Sequence, residues 1–212
     1  AFTEERQKKE RTVMNVRVIS VNNTTLSYID EGEGPVIVFL HGTFLDKMQW
    51  RYLIDALSTS FRVISIDMRG HGEDGATFFH YSISMIREDV MSILNSIDVY
   101  EFTVCAHSLG GLVAQSIAQA YPQRISALIL TGPPSIRTGN LTESVLSGFP
   151  ALFVYVHSIQ YERKITSAQH MYHNHETRSY VRSQLQAVKR NPLNYYRIWQ
   201  AYSRSDKEFD LS

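Results

Sequence analysis

The chain has 212 residues, 43% of them apolar, which is enough for a real core in one domain of ordinary size or one domain with an insertion. Lys+Arg and Asp+Glu balance at 21 each, so no charge excess points to nucleic acid or to an anionic membrane. No apolar run approaches the roughly 20 residues needed to cross a bilayer, and the single cysteine, Cys105, excludes an internal disulfide.

Residues 1–12 form a charged run without an apolar h-region. They read as a solvated arm or a frayed helix. The lone cysteine fits a reducing compartment, so the expected location is cytoplasmic. Because the first residue is Ala1, a removed signal peptide stays open.

Val16–Val21 and Thr25–Ile29 read as two strands joined by a turn at Asn22-Asn23. Val36–Leu40 is a continuous apolar run, as expected of a strand covered on both faces. Trp50, Leu53, Ile54 and Leu57 recur at helical spacing. Val63–Ile66 is a further buried strand. Ile86, Val90, Ile93, Leu94 and Ile97 form a helical stripe. Phe102–Ala106 predicts a strand, Gly110–Tyr121 a helix stopped by Pro122, and Ile125–Thr131 the next strand.

Strands alternating with helices predict an α/β fold with a doubly wound, mostly parallel sheet over residues 13–134. Ligands then bind beyond the carboxyl ends of the strands. After about Gly132 the strand signals fade. Val181, Leu185 and Val188 share one helix face, and Asn191-Pro192 reads as an N-cap followed by proline at the first helical position. Tyr195, Trp199 and Tyr202 share another face. These patterns predict a helical subdomain over residues 135–205, followed by a linker back toward the core over 206–212.

The strongest chemical signal is Ala106-His107-Ser108-Leu109-Gly110-Gly111, between a predicted strand and a predicted helix. That context suits a nucleophile elbow, a sharp turn that lifts the serine hydroxyl above the sheet. The Leu109 N–H at the start of the helix then faces any developing oxyanion. The bland alternative is a serine that merely caps the helix. The second signal is His41-Gly42-Thr43-Phe44 after the strand Val36–Leu40. Gly42 lets the chain turn, and the Thr43 N–H becomes a second oxyanion donor. His41 reads as a structural histidine that holds this loop. The third signal, Asp67-Met68-Arg69-Gly70-His71-Gly72, reads as architectural: tight turns at the glycines and local pairing by Asp67 and Arg69.

In this order and spacing the three motifs resemble the α/β-hydrolase superfamily, over residues 35–132. The spacing from His41-Gly42 to Trp50 is similar to that of small carboxylesterases and acyl-carrier methyl-ester esterases of the family. The resemblance implies six of the family's strands, and it makes the later helical segment a cap. It implies Ser108 as the nucleophile, Thr43 and Leu109 as the oxyanion-hole amides, and His41, Gly42, His107 and Gly110 in support. Serine at position 108 argues against the dehalogenase and epoxide-hydrolase branches, which use aspartate there. The family's acid and histidine follow the cap, in the order Ser…Asp…His, so they are expected C-terminal to this chain, which reads as truncated after the cap.

Within the chain, His71, His80, His107, His157, His170, His173 and His175 remain as histidines. His107 neighbours the serine but should point away from its oxygen. The cluster His170, His173 and His175 with Glu176 superficially suggests a metal site, but i, i+3, i+5 spacing does not keep all three on one helix face. No cofactor and no metal is expected.

Three functions compete. The first is a serine hydrolase of carboxylic esters with a small-molecule ester or acyl substrate. By itself this chain is then expected to be inactive or weakly active, because serine without a base is a poor nucleophile. The second is a non-catalytic ligand-binding or signalling protein on the same fold, and the third a cofactor-free peroxidase-like variant. If Ile125–Thr131 ends the sheet, its open edge invites pairing. The expected partner is a C-terminal fragment or a second copy in a homodimer through that strand.

Overall fold

The computed structural model describes residues 14–72, 80–132 and 175–203, the side chains of residues 189, 202 and 203 excepted. The charged arm, residues 135–174 of the expected cap and the linker 206–212 lie outside the described residues. So do His157, His170 and His173.

Among the described residues six strands form one sheet: β1 (Val16–Val21), β2 (Thr24–Glu31), β3 (Val36–Leu40), β4 (Arg62–Ile66), β5 (Phe102–His107) and β6 (Ile125–Thr131). Their order is β1-β2-β4-β3-β5-β6. β3 pairs in parallel with β4 and β5, and β5 with β6. β1 and β2 form an antiparallel hairpin, and β2 also runs antiparallel to β4. The mostly parallel sheet of an α/β protein is therefore present, with an antiparallel hairpin added at one side. Asn22 and Asn23 both take positive φ, 46° and 59°, as a two-residue hairpin turn requires. β2 extends past the expected Ile29 to Glu31, because Asp30 and Glu31 continue the pairing with β4.

Among the described residues five α-helices accompany the sheet: α1 (Arg51–Leu57), α2 (Ile83–Ser96), α3 (Leu109–Ala120), α4 (His175–Arg190) and α5 (Pro192–Ser203). The apolar stripe of α2 and the inner face of α3 pack on Val38, Leu40, Ile64, Val104 and Ala106 to make the main core. A smaller cluster joins Phe39, Trp50, Ile54 and Cys105 on the opposite face of the sheet. Phe39 and Trp50 stack with ring centroids 4.9 Å apart. Cys105 is a buried core residue, and burial raises its thiol pKa. Among the described residues no helix is long and apolar enough to cross a membrane.

α5 starts as its sequence predicts: Pro192 opens it and the Asn194 N–H donates to Asn191 Oδ1 at 3.4 Å. Val181, Leu185 and Val188 of α4 are buried. This helical pair rests on the loops that follow β3 and β4. The Asn194 amide donates to the Gly70 carbonyl at 2.8 Å, and the Tyr81 hydroxyl donates to Asn194 Oδ1. At the far end of the sheet, β6 is the outermost strand among the described residues. Leu128 is 39% exposed and Ile129 48%.

Candidate active site

The site is built where β3 and β5 end. Ser108 follows β5 directly and has φ 51°, ψ −118°, a conformation that a residue with a Cβ rarely adopts. It stands at the N-cap position of α3, yet its side chain makes no capping hydrogen bond. That removes the reading of Ser108 as a helix cap. Three backbone bonds hold the bend. Ser108 N–H donates to the Thr131 carbonyl at 3.1 Å, Gly111 N–H to the Ser108 carbonyl at 2.8 Å, and Gly110 N–H to the His41 carbonyl at 3.2 Å.

Two glycines let the elbow and the loop after β3 nest together. A Cβ on Gly110 would lie 2.6 Å from the Leu40 carbonyl oxygen and 2.7 Å from that of His41. A Cβ on Gly42 would lie 2.5 Å from His107 Nδ1 and 3.3 Å from the Ser108 Cβ. Glycine is needed at both positions because backbone approaches backbone and side chain there too closely for a methyl group. The loop carrying Thr43 therefore runs beside the Ser108 side chain. No hydrogen bond among the described residues uses the Thr43 or Leu109 N–H, and none reaches the Ser108 hydroxyl.

The loop is fixed from below. Gln49 Oε1 accepts from Gly42 N–H at 2.9 Å. His41 is fully buried, and both of its ring nitrogens are engaged. Nδ1–H donates to the Gly42 carbonyl at 2.9 Å, and Nε2 accepts from Met68 N–H at 3.0 Å. These partners require the neutral ring, and burial lowers its pKa. His41 is thus a loop-holding histidine, and a ring so occupied is not free to act as a base.

His71 is also buried, and its Nδ1–H donates to the Arg69 carbonyl at 3.2 Å. Its ring packs edge-on against His41 and Tyr195, with centroids 4.8 and 5.7 Å away. Burial, then the neighbouring His41, lowers its pKa to about 3. The His107 ring lies against Gly42 and Gly132 and lines a cavity of about 240 Å³ with Leu45, Gln49, Arg51 and Tyr180. Burial lowers the His107 pKa, with His41 adding to it. His80 and His175 are exposed.

The third motif is architectural, as expected. Asp67 accepts from Ser27 Oγ–H at 2.7 Å, from Lys47 N–H at 2.6 Å and from Lys47 Nζ at 2.8 Å. Arg69 forks onto Asp89 at 2.6 and 2.7 Å. Lys47 was not singled out from sequence. An isolated lysine in a loop carries no signal of burial, and only its tertiary partners, the Asp67 carboxylate and Ser27 Oγ, make that burial tolerable. Asp46 was missed in the same way. It caps the short helical turn Lys47–Trp50 by accepting from Met48 N–H at 2.9 Å, and it also takes two donors from α4.

A strained serine between a strand and a helix, beside a glycine loop from the neighbouring strand, is the geometry of one known fold family, and a family model described as the alpha/beta hydrolase fold matches residues 35–201. The chain belongs to that family. This α/β-hydrolase is 31% identical over 112 residues to bifunctional epoxide hydrolase 2 of Sus scrofa, a match covering 51% of this chain and 20% of that protein. A hydrolase of Pseudomonas aeruginosa superposes with a TM-score of 0.75 at 22% identity, over 89% of this chain and 72% of that one. The enol-lactonase of Burkholderia xenovorans superposes with a TM-score of 0.65 at 22% identity, over 88% and 72%. At such identities the two structures speak for the fold alone. The matches span between 20% and 43% of the length of the first curated relatives.

Proposed function

We propose that this α/β-hydrolase is a serine hydrolase of carboxylic esters that works through an acyl-enzyme on Ser108. Ser108 Oγ attacks the ester carbonyl carbon while a histidine outside the described residues accepts its proton. The carbonyl oxygen becomes an oxyanion, to which the Thr43 and Leu109 N–H groups donate. Collapse of this intermediate breaks the C–O bond, and the alcohol leaves with the proton from the histidine. Water then attacks the acyl carbon, the histidine takes its proton, and the acyl C–Oγ bond breaks as that proton passes to Ser108 Oγ, releasing the acid and the free serine. Gly42, Gly110, His41 and His107 hold the two loops in register.

The observation that carries this reading is the Ser108 backbone. A serine held at φ 51°, ψ −118° without using its side chain as a cap is costly and unexplained by stability. The Thr43 and Leu109 amides beside it, which no hydrogen bond among the described residues uses, support the same reading. Serine at this position favours acyl transfer over epoxide opening, because the epoxide-hydrolase branch of the family carries aspartate there. The test is labelling of the full-length protein by a fluorophosphonate probe, with Ser108→Ala as control. Labelling that Ser108→Ala abolishes is expected. Equal labelling of both proteins, or none of either, counts against a nucleophilic Ser108.

A further inference from the structure

The loop that carries Thr43 is gripped from both sides by the C-terminal helical pair. Leu45 N–H donates to the Gly42 carbonyl at 3.1 Å and closes a tight turn around Thr43 and Phe44. Phe44 is held at φ 70°, an uncommon value for an aromatic residue. Its ring meets Tyr195 of α5, with centroids 5.4 Å apart. The next residue after the turn is Asp46, and both of its carboxylate oxygens receive donors from α4. The Tyr180 hydroxyl donates to Oδ1 at 2.6 Å and Gln184 Nε2 to Oδ2 at 2.8 Å. In addition, the Asp46 N–H donates to the Tyr180 oxygen at 3.3 Å.

Capping alone does not explain this arrangement. Serine, threonine or asparagine caps a short helical turn as well as aspartate does. Two charge-assisted bonds to a helix more than 130 residues away in sequence add a function that the cap does not need. Burial, with the adjacent Asp46 carboxylate, raises the Tyr180 pKa well above the usual tyrosine range, so the phenol stays a donor.

We propose that Asp46 is a positioning residue: its carboxylate ties α4 to the turn at residues 42–45, so that docking of α4 aligns the Thr43 amide. This rests on the reading of Thr43 as an oxyanion donor. When α4 is docked, Asp46 and Phe44 are both fixed and the turn between Gly42 and Leu45 has one arrangement. When α4 lifts, the Asp46 carboxylate keeps only its bond from Met48 N–H and the turn relaxes.

The test uses the full-length protein with Asp46→Ser and Tyr180→Phe. Serine keeps the cap but offers no second oxygen to Gln184. Phenylalanine removes only the hydroxyl. Two readouts are compared: hydrogen exchange of residues 175–190, with Phe102–His107 as the internal control for folding, and kcat against KM on an ester substrate. Both variants are expected to exchange about tenfold faster across α4 with Phe102–His107 unchanged. kcat is expected to fall about ten- to a hundredfold, with a smaller change in KM, as for a misplaced catalytic group. The double variant should be no worse than the worse single one, because both break the same latch. Wild-type exchange across α4 in both variants overturns the tie. Faster exchange with wild-type kcat overturns the positioning role. If wild type shows no Ser108-dependent turnover, the proposed function fails by itself, and the exchange readout still decides whether Asp46 docks α4.

Discussion

Gly110 N–H donates to the His41 carbonyl at 3.2 Å, and the Gly110 Cα comes so near that oxygen that an added Cβ would sit 2.7 Å from it. This contact joins two motifs 69 positions apart and sets the distance between the elbow and the loop beside it. Gly110→Ala places a methyl group against two backbone carbonyls that cannot rotate away. A destabilisation of about 1–3 kcal/mol is expected, as for overpacked cores, read as a lower urea midpoint with unchanged slope. Gly42→Ala meets a side chain, His107, rather than backbone, and should cost less.

Ser108→Gly should stabilise the fold. Glycine tolerates φ 51°, ψ −118° far better than a residue with a Cβ. Relief of about 1–2 kcal/mol is expected, seen as a higher Tm, together with complete loss of fluorophosphonate labelling. A variant that is less stable than wild type would argue that Ser108 is not strained.

The Thr43 contribution is assigned to its backbone, so the side chain and the amide should behave differently. Thr43→Ala should keep near-wild-type kcat. Thr43→Pro removes the N–H and should lower kcat by about 10²–10³, the typical effect of losing one oxyanion donor. Circular dichroism would check that both variants are folded. Equal kcat in the two variants would exclude the Thr43 amide as a donor.

Acid should destabilise the protein through its buried histidines. The unfolded imidazole takes up a proton near pH 6.5, whereas folded His71 does so only at about 3. Between those values the unfolded chain binds the extra proton, so stability is full above about pH 6.5 and is lost as pH falls toward 3. Each such histidine contributes a slope of up to about 1.4 kcal/mol per pH unit. His71→Asn keeps a donor for the Arg69 carbonyl and cannot titrate. Its urea midpoint should fall less than that of wild type between pH 6.5 and 4.5. Parallel curves would show that His71 does not carry this dependence.

We propose that the outer edge of β6, the outermost strand among the described residues, pairs with β6 of a second copy. Among the described residues no strand lies beyond β6, and Leu128 and Ile129 on it are exposed, which favours pairing. The 212-residue chain alone should self-associate in sedimentation experiments, and Leu128→Lys with Ile129→Lys should reduce this. A strictly monomeric wild-type chain would remove the homodimer.

Much of the core was legible because each element signals itself locally. Val36–Leu40 and Val63–Ile66 are apolar runs of strand length, and the stripe from Ile86 to Leu94 has helical period. The elbow was legible for the same reason: small residues around Ser108 sit between a strand and a helix. The antiparallel pairing of β2 with β4 was not, since a strand's own pattern does not say in which direction its neighbour runs. The burial of Lys47 and the double role of Asp46 were equally hidden. Each depends on a partner far away in the chain.

The sequence alone determined the family, the position of the nucleophile candidate and the residues of the two loops around it. Those depend on residue type and spacing within short windows, where backbone sterics and hydrophobic period act directly. Only the tertiary structure decided that Ser108 does not cap its helix, that His41 spends both ring nitrogens on the loop, and that Asp46 binds α4. Those facts are hydrogen bonds between groups distant in sequence. Which of a polar group's possible partners it takes is settled only when the fold excludes water and leaves one donor or acceptor within reach.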